Sequence, residues 1–87
     1  NKYNLSQNYP NPFNPSTVIN YSVPAASSVK LSVYSTDGKL VKELVNSVQE
    51  AGSYNVTFEA SSLSSGIYFY TLTANGFNET RKMILVK

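Results

Sequence analysis

The sequence contains no cysteine and no histidine. Without cysteine there is neither a disulfide nor a thiolate metal site to support the fold. Without histidine, the usual general base and a very common metal ligand are missing. A Ser-His-Asp triad, a Cys-His dyad and an ordinary zinc site are all excluded. Charge is scarce as well. Seven Lys/Arg against five Asp/Glu give a formal charge of +2, too weak a balance to imply a nucleic-acid partner. The cations are scattered over Lys2, Lys30, Lys39, Lys42, Arg81, Lys82 and Lys87, with only Arg81 and Lys82 adjacent. No apolar run approaches the roughly 20 residues of a membrane span, so no membrane insertion is expected. The opening residues Asn1-Lys2-Tyr3-Asn4 lack the apolar stretch of a signal peptide. Any export peptide is expected upstream, on a longer precursor. Three of the four prolines, Pro10, Pro12 and Pro15, fall in a Pro/Asn-rich lead-in, residues 1–16, and the body, residues 17–87, has no proline after Pro24.

What is present favours strands. In 87 residues there are seven Tyr and four Phe, with many Val and Thr among them. The length sets one domain with a modest core. Ile19, Tyr21 and Val23 alternate over Thr17 to Val23, and Pro24 ends that run because it lacks the ladder N–H. Val29, Leu31 and Val33 alternate with Lys30 and Ser32, the pattern of a half-buried strand. The third run, Lys39 to Asn46, has apolar residues at both parities. A β-bulge reconciles them, and a short helix is the alternative. Tyr54, Val56 and Phe58 share one face of Ser53 to Glu59, and Tyr68, Tyr70 and Leu72 share one face of Gly66 to Ala74. Asn75-Gly76 is a strong hairpin signal, leading into a last strand over Phe77 to Val86. Met83 and Leu85 there oppose Ile84 and Val86, so cover on both sides is expected. Six or seven short strands with turns between them predict an all-β antiparallel sandwich of the Ig or fibronectin-III type.

Candidate reactive groups are few. Asp37, Glu43, Glu50, Glu59 and Glu79 fall in turns and on solvent faces, whereas a glycosidase needs two carboxylates about 5–9 Å apart beside a cleft. No catalytic residue, metal ligand or cofactor site is assigned. Leu63-Ser64-Ser65-Gly66-Ile67-Tyr68 resembles a tyrosine corner, in which the Tyr68 hydroxyl would reach backbone near Leu63. A core tyrosine with a wet hydroxyl is the other reading. Tyr34, Phe69 and Phe77 face outward if the opposite parity forms the core. That makes a carbohydrate-binding module a second functional reading and a passive spacer a third.

The lead-in carries the most specific pattern, Asn8-Tyr9-Pro10-Asn11-Pro12-Phe13-Asn14-Pro15-Ser16-Thr17. Residues before proline are pushed out of the helical region, which predicts an extended, polyproline-II-like strap. On that path Asn8, Asn11 and Asn14 share one edge, while Tyr9, Pro12 and Pro15 share another that packs on apolar surface. Such a strap would cover a sheet edge. The pattern resembles the opening motif of the C-terminal sorting domains of the bacterial type IX secretion system. Further blocks follow in the family's order. They are Val29-Lys30-Leu31-Ser32-Val33-Tyr34 with Asp37-Gly38-Lys39, then Ala51-Gly52-Ser53-Tyr54, then Leu63-Ser64-Ser65-Gly66-Ile67-Tyr68-Phe69-Tyr70, and last Arg81-Lys82-Met83-Ile84-Leu85-Val86-Lys87.

This resemblance implies a non-catalytic domain joined to an upstream cargo, exported through the periplasm of a Gram-negative bacterium. It also implies recognition by an outer-membrane translocon and removal by a sortase-type surface peptidase, with cleavage near or upstream of Asn1. The destination implied is the cell surface or the medium. The segment Lys82, Met83, Ile84, Leu85, Val86 and Lys87 is the expected recognition element, offering an edge for strand addition by a receptor.

Overall fold

Six strands follow from these alternations, and a short seventh precedes them, in a computed structural model that describes residues 2–87. In chain order they are β1 (Asn4–Leu5), β2 (Ser16–Val23), β3 (Ser27–Ser35), β4 (Leu40–Gln49), β5 (Gly52–Glu59), β6 (Gly66–Ala74) and β7 (Phe77–Leu85). They build two antiparallel sheets, β1-β2-β5 and β4-β3-β6-β7, with no helix among the described residues. The architecture is the expected β-sandwich. The two hairpins, β3-β4 and β6-β7, lie in the larger sheet, and the chain crosses between sheets at β2-β3, β4-β5 and β5-β6.

The core sits between the layers. Ile19, Tyr21 and Val23 face Val29, Leu31, Val33, Tyr70 and Leu72, all fully or nearly buried. Each such side chain contributes about 1.5–3 kcal/mol by leaving water. Tyr21 stacks on Tyr54 at 5.4 Å and its hydroxyl donates to Gln49 Oε1, a polar tie from β2 to the end of β4. Burial, partly offset by that hydrogen bond, pushes the Tyr21 hydroxyl above its ordinary pKa. Asn75 and Gly76 both take positive φ, at 48° and 87°. That is the geometry of the tight turns whose twist suits a hairpin.

Strand β4 resolves the mixed parity of the third run. Its register against β3 slips twice, between Leu31 and Ser32 and between Val33 and Tyr34, so Leu44 and Val41 are the extra residues. These bulges bring Val41, Leu44 and Val45 against the core together. The helix alternative does not form, and the strand runs on to Gln49. In β7 the core takes Met83 and Leu85, while Ile84 is half-buried and Val86 exposed. Cover is therefore one-sided by that point in the strand.

Candidate recognition site

The lead-in is not an extended strap. Tyr9 pairs with Val18 through two backbone bonds of 3.0 Å, Tyr9 N–H to Val18 O and Val18 N–H to Tyr9 O. Residues 9–18 therefore close a loop. Tyr9 is 80% exposed and Pro12 and Pro15 are exposed, so the expected Tyr/Pro edge packs on nothing apolar. The residue that enters the core is Phe13, which meets Phe58 at 6.1 Å in a tilted pair. The local preference of residues before proline is real, but the burial of one large aromatic ring outweighs it.

The three asparagines also part company. Asn8 is buried and its amide nitrogen donates to Thr17 Oγ1 at 3.0 Å and to Pro10 O at 3.2 Å. Thr17 Oγ1 in turn donates to Pro10 O at 2.9 Å, and Gln7 Nε2 donates to Asn8 Oδ1 at 2.7 Å. This network pins the base of the loop. Asn11 and Asn14 are exposed, and Asn11 Oδ1 accepts the Ile84 N–H at 3.0 Å. Below the loop, the Tyr70 hydroxyl accepts the Asn8 N–H at 2.8 Å and donates to Ser6 O at 2.7 Å. Burial raises the pKa of Tyr70 above its ordinary value, partly offset by the Asn8 bond and by Arg81.

The loop lands on β7. Phe13 bridges Leu85 in parallel, its N–H donating to Ile84 O at 2.9 Å and its carbonyl accepting the Val86 N–H at 3.0 Å. Gln7 Nε2 donates to Lys82 O at 2.7 Å, and Arg81 Nε donates to Leu5 O at 2.6 Å. The backbone edge over Lys82 to Val86 is thus already occupied by the lead-in. This corrects the expectation of an open strand for a receptor to extend, because the chain's own Phe13 supplies the pairing. Lys87 is held from the other side, its N–H on Ser65 Oγ at 3.0 Å and its ammonium on Ser61 O. Sequence segments some 70 positions apart, Asn8–Pro15 and Lys82–Lys87, form one surface.

Gly66 and Gly52 start their strands at the same φ of +154°, a conformation that L side chains rarely adopt. Two residues on from each glycine stands a tyrosine, and both turn their hydroxyls back four residues. Tyr68 donates to Ser64 O at 2.7 Å and Tyr54 donates to Glu50 O at 2.6 Å. The tyrosine-corner-like set Leu63, Gly66 and Tyr68 therefore has its hydroxyl bonded one residue past Leu63, and the β5 counterpart is a repeat that the sequence reading missed. The signal was present as two copies of Gly-x-Tyr, at Gly52 and at Gly66.

Of the three aromatics expected outside, Tyr34 and Phe69 are cross-strand partners on the outer face of the larger sheet, both half-buried. Phe77 instead stacks on Tyr3 at 5.4 Å and packs against the core, because it pairs with the inward Ala74. The carboxylates are spread over the surface. Glu43 pairs with Lys30 at 3.6 Å, Glu79 with Arg81 at 3.1 Å and Asp37 with Lys39 at 3.9 Å. The Ser35 hydroxyl holds the Asp37 carboxyl below the usual carboxylate range.

The family model of the secretion system C-terminal sorting domain matches residues 7–87. The chain belongs to that family. The match takes in the whole lead-in loop and every strand but β1. This sorting domain is thus a targeting signal of secreted proteins in type IX secretion, and the protein that carries it is secreted or displayed at the cell surface. No curated protein and no solved structure matches the chain.

Proposed function

We propose that the outer-membrane translocon grips the sorting domain folded, on the surface where the Asn8–Pro15 loop meets Lys82–Lys87. The observation that carries this is the Phe13–Leu85 bridge. It joins the most specific motif of the sequence to its basic-then-apolar closing segment. Backbone at this edge is already paired, so recognition works through exposed side chains: Tyr9 at 80% exposure, Val86 at 51%, and the cations of Lys82 and Lys87. The domain is handled and does not catalyse. An upstream cargo, having crossed the inner membrane, is carried from the periplasm with it. A sortase-type surface peptidase then cuts in the linker near or upstream of Asn1, a position outside the described residues.

The test is a periplasmic reporter fused ahead of residues 1–87 in a host with type IX secretion. Surface display of the intact fusion is expected, and removal of Lys82–Lys87 should abolish it. Because that removal also strips Phe13 of its pairing, a second variant, Tyr9→Ser with Val86→Ser, alters only exposed side chains and should lower display severalfold. Undiminished display of both variants would defeat the proposal.

A further inference from the structure

The outer face of the larger sheet is divided into two unlike halves. Antiparallel sheets commonly turn one face to water and carry polar residues there. One half does so. The rows Glu43–Ser32–Thr71–Thr80 and Asn46–Lys30–Thr73–Asn78 run across the four strands. Their groups satisfy one another: Thr71 and Thr80 hydroxyls lie 2.8 Å apart, Thr73 Oγ1 donates to Asn78 Oδ1 at 3.3 Å, and Lys30 pairs with Glu43.

The other half reverses the pattern. Its first row reads Leu40–Tyr34–Phe69–Lys82 and its second Ile67–Ile84. Five of these six side chains are apolar or aromatic. Leu40 is 57% exposed and Ile67 41%, with Tyr34, Phe69 and Ile84 half-buried. A single exposed leucine needs no explanation, but a contiguous apolar patch on a solvent face does. The patch also runs up to the recognition surface, since Ile84 is the residue bonded by Asn11 and Phe13. Lys82, in its midst, has no ion-pair partner among the described residues.

We infer that this half-face extends the docking surface for the secretion machinery beyond the loop and β7, and that its occupant is a protein surface with an apolar ridge beside a carboxylate that meets Lys82. This deepens the sorting reading and rests on it. Charge selects the occupant. A second copy packed on the same patch about a two-fold axis brings two Lys82 ammonium groups into one dry interface. The carboxylates Asp37, Glu43 and Glu79 are already engaged with Lys39, Lys30 and Arg81. An unpaired charge buried in this way is costly, whereas an acidic partner turns the same lysine into a fixed point of register and specificity.

The experiment uses the reporter fusion of the preceding section, with thermal unfolding of each purified chain as a control. Ile67→Thr with Phe69→Thr places β-branched residues at both positions of the strand and removes the middle of the apolar patch. Surface display should fall at least about tenfold, a loss of roughly 1.4 kcal/mol in binding. Should that pair not fold, Leu40→Lys at the exposed edge is the substitute and should lower display severalfold. Lys82→Glu should do the same, and Thr73→Lys on the polar half should display as the parent does. Parent-level display of the folded patch variants, with the parent itself displayed, overturns this inference alone. A parent fusion that never reaches the surface overturns the sorting reading and this inference with it. Sedimentation showing that the parent dimerises through the patch, and that Leu40→Lys is monomeric, also overturns it in favour of a second copy.

Discussion

The two edges of the larger sheet solve the same problem by different means. An edge strand exposes unpaired N–H and C=O groups that invite another chain. At β4 the edge stays open over ten residues, Leu40–Gln49, and is spoiled by two bulges at Val41 and Leu44 and by the exposed Lys42. At β7 the second half of the edge is covered, with Gln7, Asn11 and Phe13 all bonded to backbone between Lys82 and Val86. The open edge is defended by its own irregularity. The covered edge depends on a distant segment, so it couples the start of the domain to its end. A motif that reads as a stiff strap is in this fold a clasp, and its loss should cost far more than any change at β4.

The largest expected effect follows from Phe13, which is both the buried ring and the backbone partner of β7. Phe13→Ala leaves a cavity beside Phe58 and should destabilise by about 3–5 kcal/mol. Against a typical total of about 5–15 kcal/mol, that is a large share of the stability of a domain this small and should lower its unfolding midpoint markedly. Denaturant unfolding of the purified chain measures it. A loss under about 1 kcal/mol would mean that the clasp is peripheral, and the contrast between the edges would collapse.

Tyr70 tests the base of the clasp. Its hydroxyl serves both Asn8 N–H and Ser6 O, so Tyr70→Phe strands a buried donor and an acceptor at a cost of about 1–3 kcal/mol. The same hydroxyl has a pH signature. Its pKa is raised in the folded chain, chiefly by burial. Below about pH 10, the ordinary tyrosine value, both states hold the proton and the stability is complete. Above it the unfolded chain ionises first, and stability falls as pH rises towards the folded value. Tyr21 is shifted the same way. Unfolding followed between pH 8 and 12 should show an alkaline decline that Tyr70→Phe makes shallower without removing. An identical slope in the variant would show that Tyr70 does not carry it.

Where local pattern decides the structure, the sequence was legible. Strand β6 was read to its limits, Gly66–Ala74, because Gly66 and Asn75-Gly76 bracket a clean alternation. The core faces of β2, β3 and β5 follow from the same two-residue period. Pairings that span the chain were not legible. Strand β1 has only two residues, too few to show a period, and exists because Leu5 pairs with Tyr21. The proline rule gave the wrong path for the lead-in because Tyr9–Val18 and Phe13–Leu85 are tertiary contacts. Phe13 did leave a trace as the one fully apolar aromatic in a run of Asn and Pro. The Tyr70 hydroxyl left a weaker one, in that a buried tyrosine needs a partner, but the partner stands 62 to 64 positions away. For the proposed recognition surface, both segments could be named from the sequence, but not their meeting.

The smallest effect belongs to the open edge, and its smallness is informative. Val48 lies in β4 at 74% exposure, opposite Ser28. Val48→Lys removes no core contact and adds a charge where edges usually carry one. The expected change in stability is within about 0.5 kcal/mol. Association should respond instead. A concentrated sample of the parent offers a long strand with an apolar side chain at its far end, and Val48→Lys should raise the concentration at which light scattering first detects aggregates. The same scattering threshold in both chains would mean that the bulges and Lys42 already protect the β4 edge, and that a charge at Val48 adds nothing to them.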